Sequence, residues 1–147
     1  MTVTRQQARI DVHLVLRRGQ EILLGRRTGT GNAEGNWHPP SGHVEDGESA
    51  TAALIRVAVE LTGVRIDPTH VRLRHVMHHH ADAGRVALFF DVIRWDGTPL
   101  NTGPDRCAGW GWFGLDDLPD PMNGHTTEAL AHYRKGQLYA EHGWPPS

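Results

Sequence analysis

Three glutamates, Glu45, Glu48 and Glu60, stand around a stretch near Arg56 that reads as a helix. Carboxylate oxygens are the ligands that hard divalent cations prefer. Glu45 and Glu48 lie on the loop that enters the stretch, where a carboxylate also suits the positive end of a helix dipole. Arg56 and Glu60 are four residues apart, so they share one helix face and could equally form a plain ion pair. Arg26 and Arg27 follow a strand and face a loop. A guanidinium there matches a phosphate bidentately, although a solvated pair is the simpler alternative. Histidine is the one compositional oddity, with 11 residues. The run His78-His79-His80 cannot turn three rings to one ion, because neighbours on a strand point to opposite faces. Trp110 and Trp112 alternate with glycines, so both rings lie on one side of a strand. Core packing accounts for that, and so does a wall that stacks a base or covers an apolar group.

The elements that must position these residues follow from periodicity. Residues 9 to 17 alternate, with Ile10, Val12, Leu14 and Leu16 on one face and Asp11, His13 and Val15 on the other, which predicts a strand. A turn at Arg18-Gly19-Gln20 leads to a returning strand over 21–24. The Gly-rich stretch 25–47 is long for a loop, and long loops usually carry function. Ser49 can cap a helix over 49–61 that stops at Thr62-Gly63. Strands are predicted over 71–77, 85–95 and 109–113, and a closing helix over 126–135 anchored by Leu130 and Tyr133. Interleaved strands and helices make the class α/β or α+β with a mixed sheet. The 147 residues fit a single domain, 1–147, without a linker or repeat.

From Gly42 the chain reads Gly42-His43-Val44-Glu45-Asp46-Gly47-Glu48 and then, after seven residues, Arg56-Val57-Ala58-Val59-Glu60-Leu61-Thr62-Gly63-Val64. This resembles the Nudix box, G-x5-E-x7-R-E-U-x-E-E-x-G-U, with U an aliphatic residue. Gly42, Glu48, Arg56, Glu60, Gly63 and Val64 match in register, with Ala58 at a U position. Trp37-His38-Pro39-Pro40-Ser41 is similar to the W-x-L-P-G lead-in. Leu23 to Arg27, and the tail from Pro104 through Trp110-Gly111-Trp112-Phe113 to Leu118-Pro119, resemble MutT-like, nucleotide-directed members. The likeness runs from about residue 9 to 119 and implies a Nudix-type α/β/α sandwich, with helix 49–61 on one side of the sheet and the closing helix on the other.

The resemblance also implies a reaction. It is hydrolysis of a phosphoric anhydride, in a nucleoside di- or triphosphate or a related diphosphate, with Mg²⁺ or Mn²⁺ offsetting charge and orienting water. The metal would be held by Glu60, Glu48, Glu45 and the Ser41 carbonyl. Glu60, Glu48 and His43 would be the catalytic residues, and Arg27, His43, Trp110 and Trp112 would contact substrate. His43 lies in the box loop, where an imidazole could donate to a phosphate oxygen or shuttle a proton.

Two positions depart from the box. Val57 and Leu61 stand where the family carries its i, i+4 carboxylate pair, and neither can ligate a metal. The helix becomes apolar almost all round, through Leu54, Ile55, Val57, Ala58, Val59 and Leu61, and so needs cover from packing, a partner or an apolar ligand. Three functions stay open: a pyrophosphohydrolase, a Nudix-fold module that binds without turnover, and an enzyme repurposed for metal-free chemistry. Net charge −2 and scattered basic residues argue against a nucleic-acid polymer as partner. The polar start offers no apolar leader, no stretch approaches the roughly 20 apolar residues of a membrane span, and one cysteine, Cys107, excludes an internal disulfide. We therefore expect a cytoplasmic protein with a small-molecule ligand, for which homodimerisation is one way to cover the helix.

Overall fold

Alternation in the first strand is what divides the interior in two. In the computed structural model, which describes residues 3–28 and 35–147, strand β1 spans Arg9–Arg18. Val12, Leu14 and Leu16 pack on one face, while Val15 packs on the other. Strands β2 (Glu21–Arg27), β3 (Trp37–His38) and β4 (Ser41–His43) follow. Helix α1 (Ala50–Thr62) comes next, then β5 (Arg72–His79) and β6 (Arg85–Val92). The chain closes with β7 (Cys107–Gly114), α2 (Gly124–Arg134) and β8 (Tyr139–His142).

The sheet order is β3-β2-β1-β6-β5-β8, with β4 on β1 and β7 on β2. β1 runs parallel to β6, and β5 parallel to β8; the other pairings are antiparallel, so the sheet is mixed as expected. Helix α1 buries Leu54, Val57, Ala58 and Leu61 against Val12, Leu14, Leu16 and Phe90. Helix α2 buries Ala129, Leu130 and Tyr133 against Val15, Leu24, Met77 and Phe89 on the opposite face. The α/β/α layering follows directly from strands that are apolar on both faces. Among the described residues no helix is long and apolar enough to cross a membrane.

The local signals at α1 operate as expected. Ser49 Oγ accepts from the Ala52 amide at 3.1 Å, and Gly63 ends the helix with φ 72°. That left-handed turn is where glycine is favoured. The stretch 25–47 is less loop-like than its composition predicts. β2 runs on to Arg27, and β3 and β4 fall inside the stretch, because its backbone pairs with β2 and β1. Residues 29–34 of that stretch lie outside the described residues. Strand β8 carried no sequence signal: Tyr139–His142 is short, and its pairing with β5 supplies its hydrogen bonds.

Candidate active-site cleft

One end of the sheet, together with α1 and the start of α2, encloses a cleft of about 890 Å³. Asp11 and His13 reach it from β1, because strand period two puts both on the face away from Val12. Arg27 reaches it from the end of β2, His43 from β4 and Arg85 from the start of β6. His79, His125 and His142 enter from β5, α2 and β8. The parallel pairing of β1 with β6 aligns Asp11 with Ala87, two residues along β6 from Arg85. His43 and the run containing His79 were singled out by sequence, but Asp11, His13, Arg85, His125 and His142 were not. The only local signal was polar residues on the second face of a strand whose other face is fully apolar.

The carboxylates that the box supplied are all occupied by one guanidinium. Arg56 contacts Glu48 at 2.6 and 3.1 Å and Glu60 at 3.3 and 3.4 Å, and it lies 3.7 Å from Glu45. It also donates to the His43 carbonyl at 2.9 Å, which ties α1 to the box loop. Glu48 further accepts from the Glu45 amide at 2.9 Å. The hydrogen bond from Arg56 holds the Glu48 carboxyl below its usual range, and Glu48 in turn raises the hold of Arg56 on its proton. This is the arrangement of a helix clamp, the structural alternative open at the sequence level.

Val57 and Leu61 both line the cleft yet are almost fully buried, at 2% and 5% exposure. A Cβ on Gly42 would stand 2.6 Å from Val57 Cγ2, and one on Gly103 would stand 2.8 Å from Leu61 Cδ2. The two aliphatic chains therefore fill notches cut by glycines, so the cover that α1 needs on this side comes from internal packing. Ser41 lines the cleft, but the carboxylates that would complete a metal site with it converge on Arg56. Among the described residues no group of three or more His, Cys, Asp or Glu could hold a metal ion. The residues present do not fit the magnesium site that the box implies, because a hard cation needs several converging oxygens.

The tryptophans lie elsewhere. Neither Trp110 nor Trp112 is among the residues that line the cleft. Trp110 Nε1 donates to the Leu61 carbonyl at 2.9 Å, so its ring satisfies the C-terminal end of α1. Trp112 stacks on Trp95 at 6.0 Å, with Arg18 over its face at 4.1 Å. Packing against the α1 core decides both positions.

The histidine run divides as strand geometry requires. His78 and His80 both sit on Trp144, each with ring centroids 4.5 Å away, while His79 faces the cleft and stacks on His125 at 4.3 Å. Burial pushes His13 down to about 3, and His38 and His125 down to about 4; His79 is lowered for the same reason. These rings are neutral at pH 7 and add no positive charge to the cleft.

The charges that remain are cationic. Arg27 is half-buried, and burial followed by the nearby Arg85 lowers its pKa. Asp11 offsets part of that effect from a distance, and no carboxylate among the described residues forms a salt bridge with Arg27. Arg106 lines the same cleft. Asp11 is committed to Arg85 Nη1 at 2.9 and 3.1 Å and to His43 Nδ1 at 2.6 Å. Burial raises the Asp11 carboxyl, but those two partners outweigh it and leave it below the usual range. Such a cleft can hold an anion and can move a proton.

Known proteins share this architecture. A MutT NUDIX hydrolase from Burkholderia pseudomallei is 31% identical, with 85% of this chain and 97% of that one covered and a TM-score of 0.76. A MutT protein from Bacillus halodurans shares the fold at 20% identity, with 93% and 91% covered and a TM-score of 0.74. An ADP-ribose pyrophosphatase from Streptococcus suis shares it at 18% identity, with 92% and 98% covered and a TM-score of 0.62. The sequence model of the NUDIX domain matches residues 7–133, nearly the whole of the sandwich. By sequence over most of its length as well as by fold, this chain belongs to the NUDIX domain family.

Proposed function

We propose that the cleft binds a phosphate-bearing small molecule, a nucleotide or a related diphosphate, and that it does so without the family's helix-borne metal site. The observation that carries this reading is Arg27, a half-buried guanidinium in the cleft that forms no salt bridge with a carboxylate among the described residues and is only partly offset by Asp11. A cation in that position is stabilised further when an anion contacts it directly. Arg106 adds a second guanidinium, and Glu45, Glu48 and Glu60 hold Arg56 and the box loop. The ligand is a cytoplasmic metabolite in this reading, and the chain works there.

Calorimetry with ADP and with inorganic pyrophosphate, in EDTA, tests the proposal. Both probes should bind the parent, and Arg27→Ala should weaken them about 10- to 100-fold, the range for losing a hydrogen bond to a charged group. No binding of either probe, or unchanged binding by Arg27→Ala, would rule the reading out. One observation favours the family's magnesium-dependent hydrolysis instead: Glu60 lines the cleft with its side chain 44% exposed. Repeating the titration with Mg²⁺ separates the two, since a metal held by Glu60 and Glu48 would tighten ADP in the parent and fail to do so in Glu60→Gln.

A further inference from the structure

His43 and Asp11 are register partners on the antiparallel strands β4 and β1, so their side chains rise side by side on one face of the sheet. Asp11 is 7% exposed and fixed from the other side by Arg85, while the His43 side chain is 63% exposed and lines the cleft. A carboxylate only accepts, so the 2.6 Å contact makes His43 Nδ1 the donor. The lone pair is thereby placed on Nε2, for which no partner occurs among the described residues. A buried, anchored carboxylate that sets the tautomer of a cleft imidazole is the arrangement of a general base with its orienting group. The same cleft contains Arg27 and Arg106, which can offset the charge that a divalent cation would otherwise meet.

From this geometry we infer that His43 is the general base of a metal-independent hydrolysis of phosphoric anhydrides, with Asp11 as its positioning residue. The inference rests on the proposed binding of a diphosphate in the cleft. In the step, a water oxygen attacks phosphorus while one of its protons passes to His43 Nε2. The new P–O bond forms as the bond to the bridging oxygen breaks. The leaving phosphate then takes up the proton from His43. For ADP the products are AMP and inorganic phosphate, with no other reactant consumed.

The test is steady-state phosphate release from saturating ADP by metal-stripped protein in EDTA. The parent should turn over at a rate unchanged by added Mg²⁺. His43→Ala should lose about 100-fold in kcat, and free imidazole in the buffer should restore part of that loss. Imidazole rescue distinguishes a base from a ring that merely packs, because a small molecule can replace the former alone. Asp11→Asn should lower kcat about tenfold with KM little changed, as for a group that acts through another. His43→Gln serves as a second variant, and circular dichroism confirms that each variant is folded. Bound ADP that is not hydrolysed in EDTA overturns the inference and leaves the binding proposal intact. Turnover only with Mg²⁺, full activity in both His43 variants, or loss without imidazole rescue overturns it as well. Failure of ADP and pyrophosphate to bind at all overturns both.

Discussion

Replacing Val57 and Leu61 together by glutamate should destabilise the protein by about 4 kcal/mol or more in EDTA and create a Mg²⁺-dependent activity that the parent does not have. The cost comes from packing. Each aliphatic chain fills a notch at a glycine, Gly42 for Val57 and Gly103 for Leu61, and both are nearly fully buried. A carboxylate in either notch loses those contacts and is poorly solvated. The gain comes from position, since residues 57 and 61 both line the cleft one helical turn apart. Two new carboxylates there, with Glu60 beside them, rebuild a set of oxygen ligands on one helix face. Millimolar Mg²⁺ should then raise the melting temperature of the double variant and leave the parent unmoved, because a ligand stabilises only the state that binds it. Phosphate release from ADP should show a Mg²⁺-dependent component in the variant alone. A folded variant with neither a Mg²⁺-induced rise in melting temperature nor such a component would mean that carboxylates at 57 and 61 do not rebuild a metal site here. A parent whose rate climbs with Mg²⁺ would mean that Glu48 and Glu60 suffice as they stand.

Acid should unfold this protein over a window set by its neutral histidines. His13 lies near 3 in the folded state, and His38 and His125 near 4, each depressed by burial from an ordinary value of about 6.5. Between those values the unfolded chain binds protons that the folded chain refuses. Their contribution is therefore fully present above about pH 6.5 and is lost as pH falls towards 4. Asp11, depressed by Arg85 and His43, adds a loss of the same sign at still lower pH. Each pH unit below 6.5 costs up to about 1.4 kcal/mol per ring. Discounting for the solvent that enters the cleft, the three rings together should cost on the order of 4 kcal/mol by pH 4.5, a melting-temperature fall of about 10–15 °C from pH 7. Thermal melts across pH 4.5 to 8 measure this. His13→Phe, which keeps a ring against Phe89, should flatten the slope. A melting temperature level from pH 7 down to 4.5 would show that these rings protonate freely in the folded protein.

The sequence by itself determined the layers and the scaffold of the site. Period two in β1 divided its side chains between two cores, and Ser49 and Gly63 bounded α1 within about a residue. These are local rules, in which propensity, capping and alternation act over a few neighbours. The box residues told the family, and the aliphatic Val57 and Leu61 told that its metal pair is missing. Only the tertiary structure decided which other polar groups meet in the cleft. Asp11 meets His43 across 32 residues of chain and Arg85 across 74, through the pairing of β1 with β4 and β6. His79 meets His125 through the packing of α2 on β5. It also decided that Glu45, Glu48 and Glu60 converge on Arg56, and that Trp110 caps the C-terminal end of α1. Such partnerships depend on which distant strands and helices pack together. That choice is made by burial summed over the whole sheet, which no short stretch of residues encodes.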